Sequence, residues 1–90
     1  MLVIWKANFS GTKAQLERVK EKLRDIADKS GEKLQGPFYA QDADLMWLFL
    51  TKHGNIGVSG REFLPWAAKN HIPIEPVSWE IGITEEEFWG

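Results

Sequence analysis

Ninety residues with net charge −2 and 43% hydrophobic content make one ordinary globular domain, not a disordered chain or a strongly basic nucleic-acid binder. The absence of cysteine excludes a disulfide frame, a thiolate metal site and a cysteine nucleophile. No apolar run reaches the roughly 20 residues that span a bilayer; a cytoplasmic protein is the expectation, with no nucleic acid and no membrane among its partners.

In chain order, residues 2–9 alternate Val3, Trp5, Ala7 and Phe9 on one side with Leu2, Ile4, Lys6 and Asn8 on the other, the period of a strand. Ser10-Gly11-Thr12 breaks it, and either hydroxyl can cap the helix that follows. That helix spans 13–30, with Leu16, Val19, Leu23 and Ile26 along one side and charged residues elsewhere; Gly31 stops it. Residues 33–40 form a weaker strand that Gly36-Pro37 confines to an edge or interrupts with a bulge. Asp42 and Asp44 flank a turn. Their carboxylates would share a side if extended, but Asp is common in turns for backbone reasons.

Leu45-Met46-Trp47-Leu48-Phe49-Leu50, within a strand 45–51, is apolar on both faces. Residues 52–60 read as a loop holding His53, Gly54, Gly57, Ser59 and Gly60. A second helix over 60–70 starts at a Ser59/Glu62 capping box and is kinked or delayed by Pro65. A last strand covers 72–81. Residues 84–90 are an acidic tail ending in Phe88 and Trp89; the expectation is a final helical turn that packs both rings back on a barrel mouth or a partner, the alternative a peptide that binds another protein.

The order β-α-β-β-α-β predicts an α+β, ferredoxin-like domain: a four-stranded antiparallel sheet with two helices on one face. Two helices cover one side only. The expectation is an open face bearing Trp5, Phe9, Trp47 and Phe49, with Trp79 beside them, which needs a partner subunit or a ligand. Two such faces pressed together give a homodimeric α/β barrel.

The layout resembles the dimeric α/β-barrel superfamily. Met1-Leu2-Val3-Ile4-Trp5-Lys6, Glu62-Phe63-Leu64-Pro65-Trp66 and Glu75-Pro76-Val77 are similar to a family of small barrel proteins with no assigned activity. The resemblance implies cofactor-independent monooxygenase or isomerase chemistry in an apolar cavity between the helices and the sheet. Trp5, Trp47, Phe49 and Trp66 would line it, and an apolar or aromatic small molecule would be the ligand. Tyr39, Asn8, His53 or His71 would give polar contacts. Independently of the resemblance, Gly54, Gly57 and Gly60 lie before the second helix, where backbone amides with Ser59 and Arg61 could hold an anion; the spacing matches no phosphate-binding fingerprint, and a flexible connection is the plainer reading. Haem-degrading members use an Asn, a Trp and a His in the order of Asn8, Trp66 and His71; here His71 follows Trp66 too closely for that pattern, and no cofactor is expected. No close histidine pair is present, so no metal is expected either. The alternative of another class is a non-enzymatic homodimeric module whose apolar face only makes the dimer, and the sequence leaves enzyme and module both open.

Overall fold

In the computed structural model, residues 1–41, 44–51 and 56–90 are described, the side chains of 56–60 excepted. The elements are β1 (Leu2–Phe9), α1 (Lys13–Ser30), β2 (Lys33–Tyr39), β3 (Asp44–Leu50), α2 (Ile56–Lys69), β4 (Ile74–Gly82) and α3 (Glu85–Trp89). The four strands form one antiparallel sheet in the order β2-β3-β1-β4.

Local chemistry accounts for the helix ends. Thr12 caps α1 in a reciprocal box: its hydroxyl accepts from the Gln15 amide at 3.2 Å, and the Gln15 side chain accepts from the Thr12 amide at 2.9 Å. Gly31, at φ 69°, closes the other end in the left-handed conformation, donating to Asp28 while Glu32 donates to Ala27. The second helix ends in the same motif, with the His71 amide on the Ala68 carbonyl and the Ile72 amide on that of Ala67. Here the left-handed position, φ 54°, is held by a histidine, whose Cβ makes that conformation costly. His71→Gly is therefore expected to raise stability by about 0.5–1 kcal/mol after the extra entropy of unfolded glycine is offset; an unchanged or lower melting temperature would contradict this account.

Two boundaries differ from the sequence expectation. Helix α2 begins at Ile56, so Ser59 lies inside it and is no N-cap, and the anion site imagined at a helix start near Ser59 and Arg61 has no helix start there. Pro65 sits within the helix without terminating it, removing one amide donor from the ladder. The acidic tail forms α3, capped by Thr84, whose hydroxyl accepts from the Glu87 amide.

The largest correction concerns the faces of the sheet. Trp5 is 1% and Trp47 0% exposed, and Val3, Ala7, Leu45, Phe49 and Phe9 are buried with them. They form one core with Val19, Leu23 and Ile26 of α1 and Phe63 and Ala67 of α2. The large rings therefore lie beneath the helices, not on the open face. The physical reason is parity. Leu2 and Ile4 share their side of β1 with Lys6 and Asn8, while the Trp5 side holds no polar residue; a desolvated face tolerates no unpaired charge. The open face is consequently aliphatic.

Both edge strands are interrupted by proline. In β2, the cis Gly36–Pro37 bond accompanies a register shift between Gln35 and Phe38, as edge or bulge placement required. In β4, Pro76 pairs with Ala7 just after a shift between Lys6 and Ala7.

Candidate functional site

Two arrangements merit chemical scrutiny: the aromatic cluster beneath the helices and the open face of the sheet.

The cluster is built by register. Trp5 pairs with Trp47 on one side and Trp79 on the other, so three indoles lie side by side on β3, β1 and β4. Their centroids stand 5.3 Å and 5.1 Å apart at 24° and 16°, stacked in both cases. Phe63 of α2 meets Trp5 edge-on at 5.2 Å, and Trp66 leans on Phe63 at 5.7 Å. Trp66 marks the outer boundary. The Arg18 guanidinium lies 5.8 Å from its ring, and donates to the Asn70 side-chain carbonyl at 2.7 Å, while the Asn70 amide donates to the Trp66 carbonyl at 2.8 Å. This latch joins α1 to α2 across residues that pattern reading cannot pair. The one discord is Trp5 Nε1, which is buried and has no hydrogen-bond partner among the described residues. Leaving such a donor unmet costs about 1–3 kcal/mol.

The open face follows from the same register. Row by row, Leu2 neighbours Leu50, Ile4 neighbours Leu48, and Lys6 neighbours Met46; β2 extends these rows with Lys33, Gln35 and Phe38, and β4 with Gly82, Glu80 and Ser78. The two middle strands thus present five aliphatic or thioether side chains in a block, with polar groups mostly at the rim. Lys6 is neutralised in place by Asp44, 2.8 Å away. Near that end, Lys6, Phe38, Tyr39, Ala40, Asp44, Leu45 and Met46 border a groove of about 270 Å3.

The residues singled out from the sequence scatter. Trp5, Trp47 and Phe49 are core, and Trp66 is half-buried against them. Asn8 projects to the opposite side of the sheet from Trp5, at the rim, with its amide 3.4 Å from Asp44. Asn8 and Trp66 are therefore separated by the sheet, and His71 is an exposed helix-ending residue. Arg61 is exposed on α2, and Tyr39 is exposed on β2. His53, Asp42 and Gly54 lie outside the described residues. Among the described residues no three His, Asp or Glu side chains gather as metal ligands, and no helix is long and apolar enough to cross a membrane.

Among the described residues, the shifted groups Lys20, Lys29 and Glu87 lie at the surface. The Lys20 ammonium is held above its ordinary value first by its hydrogen bond to Glu17 and further by Tyr39. The Glu87 carboxyl is held below its usual range by the Met1 ammonium, 3.0 Å away, with Thr84 adding to it.

What sequence reading missed was the α3 cap and the latch. Thr84-x-x-Glu87 does carry the spacing of a capping box; Arg18, Trp66 and Asn70 carry no local signal. No protein-family model, no curated protein and no solved structure matches the chain.

Proposed function

We propose that the chain is a homodimeric interaction module of the dimeric α/β-barrel kind, whose open sheet face receives the same face of a second copy. The observation that carries this reading is the contiguous block Leu2, Ile4, Met46, Leu48 and Leu50 on a face that neither long helix covers. Leu50 is exposed and the other four are half-buried by their neighbours on the sheet; a contiguous apolar block that no helix seals is the composition expected of an interaction surface. The pairing of β1 with β3 at the centre, with α1 and α2 on one side, supports a ferredoxin-like plan to which α3 is an addition. At about 25 cal/mol per Å2, each few hundred Å2 of apolar surface covered contributes several kcal/mol toward the association cost.

Leu48→Glu tests it. A carboxylate at the centre of the face leaves the core untouched, so the variant is expected to keep its far-ultraviolet circular dichroism and become monomeric by light scattering, while the parent has twice the chain mass. A parent that stays monomeric at every concentration would end this reading.

A second reading has one specific observation in its favour. The unmet Trp5 Nε1 donor suits a small-molecule site in the aromatic cluster, where an apolar ligand bearing a carbonyl oxygen would accept its hydrogen bond. Trp5→Phe separates the two readings, because it keeps a ring and removes the donor. In a pure module this variant loses ring area but sheds an unmet donor, and neither protein responds to added ligand. In a binding protein, neutral aromatic ketones shift the melting temperature of the parent and fail to shift that of the variant.

A further inference from the structure

The open face alone leaves the most exposed rings of the chain unexplained. Phe88 and Trp89 are 65% and 78% exposed, although Thr84 caps α3 and the two rings meet edge-to-face at 5.1 Å and 88°. The described residues thus hold the pair together and leave most of its surface open. Helix α3 lies beside the Leu2–Leu50 end of the sheet, since Thr84, Glu86 and Glu87 border a cavity with Met1, Leu50, Thr51 and Lys33. The groove of about 270 Å3 lined by Lys6, Phe38, Tyr39 and Met46 lies at the opposite end of the same strands. Phe38 and Tyr39 are themselves exposed.

We propose that in the dimer the Phe88–Trp89 pair of each copy seats in the Lys6–Phe38–Met46 groove of the other. This inference rests on the open-face reading above. Two stacked sheets related by a two-fold axis running across their strands bring the Leu2–Leu50 end of one over the Lys6–Met46 end of its partner. The operation applies twice, so both exposed aromatic groups of both copies are covered in one step, as an isologous interface requires. The chemistry of the groove suits an indole. Met46 offers a thioether to a ring edge and Phe38 an edge-to-face neighbour, while the Lys6–Asp44 ion pair forms the polar side of the groove. A tryptophan buried among aromatic and apolar neighbours is a usual anchor of an interface hot spot.

The test uses the full chain and sedimentation equilibrium over a concentration series. Trp89→Ala, at an exposed position, is expected to fold normally and to raise the dimer dissociation constant about 30-fold. Because the chain has no cysteine, Phe38→Cys/Phe88→Cys gives an independent readout. Within one chain the two sites are separated by about four residues of strand, on the order of 13 Å, too far for a disulfide. Oxidation is expected to yield a covalent dimer from the double variant and none from either single variant. If Trp89→Ala dimerises as the parent does while Leu48→Glu is monomeric, the open-face dimer stands and the clasp is wrong. A covalent dimer from Phe88→Cys alone would place the two α3 helices together and also overturn it. A monomeric parent removes both inferences.

Discussion

Trp47→Ala is expected to destabilise the protein by about 3–5 kcal/mol, the cost of removing a fully buried large ring from a core that cannot collapse into the space. Trp47 is 0% exposed, is stacked on Trp5 at 5.3 Å, and helps form the sheet side of the single core. For a domain of this size each kcal/mol lowers the melting temperature by about 4–8 °C, and total stabilities are only about 5–15 kcal/mol. The variant therefore stands near the edge of folding. Equilibrium urea unfolding measures it, and a midpoint within error of the parent would refute the placement of this ring. The neighbouring residue gives the contrast. Leu48 sits one position along and on the other face, so Leu48→Glu is expected to break the proposed dimer and leave the fold intact, whereas Trp47→Ala is expected to unfold the chain. Had Trp47 occupied the open face, as its bulk and apolarity suggested from the sequence, the two outcomes would be exchanged.

Gly36→Ala is the second large effect. Gly36 has φ 119°, a region that residues with a Cβ avoid, and a Cβ built there would lie 2.8 Å from the Met46 carbonyl oxygen and 3.2 Å from Trp47 Cδ1. The backbone conformation alone costs about 1–3 kcal/mol for a non-glycine residue, and the close approach to backbone adds to it, because β3 is pinned between β1 and β2. Denaturant unfolding of Gly36→Ala should show that loss. Amide exchange should show it concentrated in β2 and the adjoining amides of β3. An alanine variant as stable as the parent would mean the bulge has another conformation.

Much of the architecture was legible because it rests on period and punctuation. The stripe Leu16, Val19, Leu23, Ile26 specified α1, and Thr12 and Gly31 bounded it. The glycine–proline pair marked β2 as an edge strand with a bulge. The faces of the sheet are harder to assign, because in β1 and β3 both are apolar and ring size is no guide to exposure. The polar residues decide instead: Lys6, Asn8 and Asp44 all fall on the parity of Leu2, Ile4, Met46 and Leu48, which is the side that keeps its water or meets a partner. The start of α2 was hidden for a different reason. Gly54, Gly57 and Gly60 have low helix propensity, and tertiary context overrides propensity routinely. Nor does local sequence place Arg18 over Trp66, because that contact depends on how two helices cross.

The proline in each outer strand has a consequence for growth. A sheet with regular, unpaired borders recruits further strands side by side, and the product is an open-ended ribbon or fibril. Here Gly36–Pro37 disrupts one border and Pro76 interrupts the other, so lateral addition lacks a continuous template. Growth at either border is thereby opposed, and the broad aliphatic surface, which is used up once it is covered, is the face left for the proposed association.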